Sequence, residues 1–314
     1  SPGNPPVPTA TLTPTIENSS TPTESPSPTA SPTPTPTPLP LNGQQTQYII
    51  DATIDYYNRF VTVEIQSTYT NKTNVPIDNI IFVVYPTIFQ AIYTRSVTMS
   101  DGVPVENFEW LGHLMIIQLE QPLQPGEKIK FTHEFELYMP DRGGVFSHSG
   151  KQLNLSYWFP FIPPYDEKEG WLAHDPQLVN SSFVGEFLVF EAADYDVTIT
   201  FTDRRENFMI AAPASPQEKE GGINYQLSLA RTFTLSISDQ FVLYERQVND
   251  TTIQSFALKE HDRVGDVVAD VAVEAFTLYS ELYGPYDREL LTIVEFNSDI
   301  GMEFDGLIFL SPYF

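Results

Sequence analysis

The sequence predicts a mainly β protein. A β-sandwich or saddle of sheets should occupy residues 43–250, and residues 251–314 should form the opening helix and strands of a second, α+β domain. Three observations predict this. From Gln47 onward apolar and polar residues alternate at period two, the signature of strands with one face in a core. Turn signals such as Pro125-Gly126, Gly143-Gly144 and Gly221-Gly222 recur at short intervals, which favours many short strands over a few long helices. After about Lys259 the period changes to three and four residues, and a helical stretch begins.

The first 42 residues stand apart. Of the 27 prolines, 13 fall within residues 1–40, which carry no Lys or Arg, only two acids (Glu17 and Glu24), and a Thr-Pro alternation that peaks at residues 33–38. Such a composition cannot bury a core and predicts an extended, polyproline-like linker. At about 3.1 Å per residue it could reach on the order of 100 Å, which suits holding a folded body away from a membrane or envelope.

Beyond it, residues 48–56 and 60–69 are β-rich runs joined by a hairpin at Tyr57-Asn58-Arg59, and Asn71-Lys72-Thr73-Asn74 is the next turn. Residues 77–85, a dense apolar run closed by Pro86, read as a buried strand. Further strands are predicted at 114–119, 129–138, 188–201, 208–212, 225–229 and 232–236. In the second region Val264, Val268, Val271, Ala275, Leu278 and Leu282 make the apolar stripe of an amphipathic helix, with Asp266, Asp270, Glu274, Thr277 and Glu281 opposite. Gly284-Pro285 ends it, because Gly tolerates the left-handed cap and Pro cannot continue the turn. Strands at 290–296 and 307–310 follow, joined by a polar, Gly-containing link over 297–306.

The 314 residues carry a net charge of −25 with no compensating basic stripe, which argues against a nucleic-acid partner. No run of 18 apolar residues occurs, so no membrane-spanning helix is expected. There is no cysteine, which excludes disulfides, thiolate metal sites and Cys nucleophiles. The first residue is Ser rather than Met, so an export or lipid-anchoring signal removed by processing would fit an extracytoplasmic protein tethered through its linker. Asn71-Lys72-Thr73 and Asn154-Leu155-Ser156 are acceptor triplets in a host that glycosylates exported proteins.

The five histidines, His113, His133, His148, His174 and His261, include no pair at the i, i+4 spacing that lets a helix present two imidazoles to one zinc. In His133-Glu134 the second ligand position is Leu137. Phe131, His133, Phe135 and Leu137 alternate as one strand face, so His133 reads as a satisfied or exposed strand histidine. No Gly-x-Ser-x-Gly elbow, phosphate-cradling loop or dinucleotide fingerprint occurs. Glycosidase acids can lie far apart in a chain, and no carboxylate spacing here supports a pair. The aromatic run Tyr157-Trp158-Phe159-Pro160-Phe161 reads as core rather than as a sugar-stacking surface.

At Gly301-Met302-Glu303-Phe304-Asp305-Gly306, between two strands and after a helix ending in Leu282-Tyr283-Gly284-Pro285-Tyr286, the sequence resembles the M1 zinc aminopeptidases, whose matching stretch reads Gly-x-Met-Glu-Asn. Thr68-Tyr69-Thr70-Asn71 with residues 80–86, Leu123-Gln124-Pro125-Gly126-Glu127, and residues 193–200 are similar to family stretches in the same order. The resemblance covers essentially residues 45–314. It implies an N-terminal β-saddle followed by a thermolysin-like catalytic domain, with zinc held by two histidines and a glutamate. Glu303 would match the glutamate that pairs with the α-amino group of peptide substrates, and Gly301 and Met302 would offer main chain to the peptide. Phe304 stands where the family has Asn, and Ile300 where it often has Gly. The segment Phe-Pro-Cys-x-Asp-Glu-Pro is met only loosely, by Trp158-Phe159-Pro160 and Pro164-Tyr165-Asp166-Glu167. The family's His-Glu-x-x-His is absent from the chain and is expected beyond Phe314. By itself, then, this stretch should bind no zinc and be inactive. The competing expectation is a non-catalytic extracytoplasmic binding or scaffold protein built on the same β-region.

Overall fold

The computed structural model describes residues 44–99, 102–173, 188–202, 207–298 and 301–312. The Pro/Thr-rich linker, His174 and Ile300 lie outside them. Strands β1 (Thr46–Asp55) and β2 (Phe60–Thr70) form the first predicted hairpin, turned through Arg59 at φ 59°. Strand β3 (Ile77–Val83) stops two residues short of its predicted end, where Pro86 opens a short 3-10 turn, Tyr85–Phe89. Then come β4 (Ile92–Met99), β5 (Phe108–Leu111), β6 (Leu114–Leu123) and β7 (Lys128–Tyr138). Four short strands follow: β8 (Phe146–His148), β9 (Leu153–Leu155), β10 (Tyr165–Asp166) and β11 (Gly170–Trp171). After them lie β12 (Ala193–Phe201), β13 (Met209–Ala211), β14 (Gln217–Lys219), β15 (Gly222–Ala230) and β16 (Leu235–Ser238). The last part contains β17 (Phe241–Val248), β18 (Thr251–Leu258), helix α1 (Asp262–Tyr283), β19 (Leu290–Glu295), β20 (Met302–Phe304) and β21 (Leu307–Leu310). Of the described residues 53% are strand and 12% helical, so the protein is mainly β, as its sequence predicts.

A seven-stranded sheet runs in the order β14-β15-β12-β1-β2-β7-β4. All neighbours are antiparallel except β1 and β12. Strand β1 shows why the sheet has one core face: Tyr48, Ile50, Ala52 and Ile54 are buried, while Gln47, Ile49, Asp51 and Thr53 are exposed. The buried face shares one hydrophobic cluster with the four-stranded sheet β13-β16-β9-β8, including Leu155, Trp158, Leu235 and Ile237. A second cluster, around Tyr69, Phe82, Met115 and Phe131, joins it to the three-stranded sheet β3-β6-β5. Tyr157, Trp158, Phe159 and Phe161 are all buried.

A five-stranded sheet, β17-β18-β19-β21-β20, completes the body. Strands β18, β19 and β21 are mutually parallel, and α1 is the crossover between the first two. One face, with Phe256, Val294, Phe296, Leu307 and Phe309, belongs to the main cluster; the other, with Ile253, Ile293 and Ile308, packs on α1. Residues 41–314 therefore make one compact unit. This sheet begins at Phe241, so the sequence-based boundary at 250/251 falls in the turn of the β17–β18 hairpin.

Two expectations are corrected here. The link at 297–306 contains a strand, β20, which is too short for periodicity to reveal and is defined by its pairing with β21. Helix α1 spans the predicted residues, but it meets its sheet chiefly through Gly265, Ala269 and Phe276, and of the predicted stripe only Val268 packs there. Val264, Val271, Leu278 and Leu282 are exposed. The reason is proximity: a Cβ on Gly265 would stand 2.6 Å from Ala257 Cβ, so only small side chains fit at that contact. Arg246 on β17 fixes the rotation of the helix by pairing with Asp266 (2.6 Å) and Asp270 (2.8 Å).

Candidate functional site

Strand β20 is an edge strand. It pairs with β21 on one side, through Met302↔Phe309, Glu303↔Ile308 and Phe304↔Leu307, and is last in the order of its sheet. Its outer edge offers main-chain groups to an incoming extended segment. The turn at Asp305-Gly306 is held from two directions. Gly306 has φ 77°, and a Cβ there would come within 3.0 Å of Pro213. The Asp305 carboxylate accepts the Arg231 main-chain N–H at 2.5 Å and its guanidinium at 3.1 Å.

Alternation along β20 separates its side chains. Phe304 is buried, edge-on to Tyr157 (5.3 Å between ring centroids) and to Phe309 (5.9 Å), and Met302 is half-buried against the same cluster. Glu303 is exposed and forms no hydrogen bond or ion pair with any described residue, in contrast to Asp305 two positions on. Gly301 is exposed. A crevice of about 230 Å³ lies beside the strand, bordered by Tyr157, Phe190, Arg231, Thr232, Glu303 and Phe304. Tyr157 holds the left-handed region at φ 55° and stacks on Phe190 at 5.5 Å. The three residues singled out from the sequence, Gly301, Met302 and Glu303, are thus consecutive at an accessible sheet edge, with an aromatic wall next to them. Tyr157, Phe190 and Arg231 were not predicted there, since only the fold brings them to residue 303.

His133 corrects its expectation in part. It lies on β7 as predicted but is neither exposed nor satisfied: it is buried beside Phe82 (4.4 Å between ring centroids), and neither ring nitrogen has a hydrogen-bond partner among the described residues. Burial lowers its pKa from the usual value to about 3. Glu134 points to the opposite face of the sheet, so the two cannot ligate one ion together. One pair escaped the sequence reading altogether. His261 Nδ1 lies 2.5 Å from Glu295 Oε1, and Glu295 also accepts the Leu258 N–H at 3.0 Å, which joins the carboxyl ends of β18 and β19 at the start of α1. The partners are 34 residues apart with no local signal. Among the described residues no three His, Asp or Glu side chains stand together as a metal donor set. The described residues by themselves would not hold a zinc ion. The Asn71 and Asn154 side chains are buried and hydrogen-bonded, Asn71 to Val75 O and Leu123 O at 2.8 Å each.

The chain matches no family model, and no curated protein shows significant similarity to it.

Proposed function

We propose that the chain belongs to an extracytoplasmic peptidase of the M1 aminopeptidase type and supplies the side of the site that grips the free amino terminus of a peptide. The observation that carries this reading is the exposed Glu303 carboxylate, without a partner among the described residues, on the edge strand β20. A carboxylate so placed meets an α-ammonium with charge-assisted hydrogen bonds. Main chain on the same edge, at Gly301 and Met302, can take the peptide as an added strand and so fix the register of its first peptide bond. Stacked sheets followed by a mixed sheet with a crossover helix support the reading, as does the order of motifs that the sequence shares with that family. In such an enzyme zinc would supply activated water. The Pro/Thr-rich linker would then serve as a spacer from the envelope. A peptide-binding module without catalysis is the second reading, because edge strand β20 with Glu303 would take an extended peptide without any metal.

The test uses the protein as its gene encodes it. Glu303→Gln removes one partner of a charge pair that bound peptide would cover, a loss of about 2–5 kcal/mol. The value of kcat/KM on free-amino peptides should fall by a factor on the order of 30 to several thousand. Acetylated peptides should be poor substrates for both forms, and the thermal midpoint should barely move. Full activity in a normally folded variant sinks the peptidase role of Glu303. Peptide binding lost in the variant, with no cleavage by either form, favours the binding module.

A further inference from the structure

Helix α1 is apolar on two faces. Its inner contact uses Gly265, Ala269 and Phe276, yet its larger aliphatic residues point away from the sheet: Val264 is 49% exposed, Val271 58%, Leu278 51% and Leu282 61%. At 100° per residue these four fall within about 40° of one another and form one stripe over five turns. An exposed aliphatic stripe of this length on one helix is more than isolated surface hydrophobes. Along one flank of the stripe stand Glu274 and Glu281, exposed and without partners among the described residues, whereas Asp266 and Asp270 are already taken by Arg246. At its amino-terminal end the stripe opens on a cleft of about 450 Å³, where Val264 and Val268 face Ile293, Leu310 and Pro312.

We infer that the outward face of α1 is the seat of a second amphipathic helix, presented by a partner domain, with an aliphatic stripe edged by lysine or arginine. The aliphatic stripe matches that of α1 by helix-on-helix packing, and a large apolar anchor would enter the cleft. The basic edge answers Glu274 and Glu281. A second copy of α1 laid parallel would bring the same acids against each other, which disfavours that arrangement although exposed Arg263 shares the flank, and the two acids are equally unsuited to an anionic lipid surface. This inference stands apart from the peptidase reading.

The test uses the full chain and three synthetic helical peptides in fluorescence anisotropy: one with leucines at heptad spacing edged by lysines, one with the same leucines edged by glutamates, and a scrambled form of the first. The lysine-edged peptide should bind saturably. Val271→Asp and Leu278→Asp, both at exposed positions and checked for folding by thermal melting, should weaken it at least tenfold. The double change Glu274→Lys, Glu281→Lys should weaken the lysine-edged peptide and let the glutamate-edged one bind. Equal binding of the scrambled peptide, or affinity untouched by Val271→Asp, overturns the inference. So does a dimer in sedimentation that Val271→Asp abolishes, which would make a second copy the occupant. Flotation with phosphatidylcholine vesicles that Val271→Asp abolishes would overturn it in favour of a lipid surface.

Discussion

His133 shows how much one side chain can depart from the pattern around it. Phe131, Phe135 and Leu137 on the same strand face are fully buried apolar residues, and His133 shares their burial without a partner among the described residues for either nitrogen. Alternation made its direction legible, but its lack of partners depends on Phe82 across the core, which no local pattern reports. With a folded pKa of about 3 and an unfolded one near 6.5, the unfolded chain takes up the proton first as pH falls. The contribution of His133 to stability is complete above pH 6.5 and is lost progressively between 6.5 and 3. His133→Leu should raise stability at pH 7.5 by about 1–3 kcal/mol, the cost of a buried unsatisfied group. It should also flatten the fall in urea midpoint between pH 7 and 4.5. An unchanged pH profile would show that His133 finds a partner in solution. Glu303 and Asp305 make the complementary point. Both lie in one polar link, where only the family resemblance singles out Glu303; the approach of Arg231 from 74 residues away engages Asp305 and, among the described residues, leaves Glu303 without a partner.

Elements were legible where alternation is regular, and length alone did not suffice: β4, β17 and β18, eight residues each, are not among the predicted strands. Strand β21 occupies the predicted residues, and β1, β2, β6 and β7 follow from alternation, because each lays one face on a core for seven or more residues. Strands of two or three residues, such as β8 to β11 and β20, carry too few periods to be read and are defined by their pairing, in local hairpins for β8–β9, β10–β11 and β20–β21 and across the chain for β9 with β16. The rotation of α1 was misread because hydrophobicity was counted and closeness was not. Gly265→Ala tests that account. Helix propensity alone would gain about 1 kcal/mol, but the new methyl would lie 2.6 Å from Ala257 Cβ, and overpacking costs about 1–3 kcal/mol. A net loss of stability is expected in chemical denaturation, and a gain would mean that α1 can lift away freely. The exposed face of the large sheet offers a second test. Asp51, Glu64 and Glu134 stand directly opposite one another on β1, β2 and β7. Like charges in cross-strand register repel, so Glu64→Lys should stabilise by about 0.5–1 kcal/mol. The gain should shrink in 1 M salt, where the screening length falls to about 3 Å; a gain indifferent to salt would point to packing instead.

At the scale of the molecule, the main hydrophobic cluster runs from Tyr48 in the large sheet to Phe309 in the five-stranded one, and Thr292 Oγ1 on β19 donates to Ala212 O at 2.7 Å across the same junction. The parts should therefore unfold together. All three tryptophans, Trp110, Trp158 and Trp171, precede the five-stranded sheet in the chain, so their fluorescence reports that earlier part while circular dichroism at 222 nm is weighted toward α1. The two probes should give coincident thermal midpoints, and two separated transitions would show that the five-stranded sheet melts on its own. The parallel pairing of β1 with β12 carries a consequence in time. Thr46 faces Ala193, 147 positions later in the chain. During synthesis at about 5–20 residues per second, β1 can pair with β2 early, yet its other edge waits roughly 7–30 s for β12 to emerge. Throughout that wait the nascent chain exposes an unpaired strand edge beside a bare apolar face, so holding chaperones, or slow release from the ribosome, should govern yield more than the stability of the finished fold.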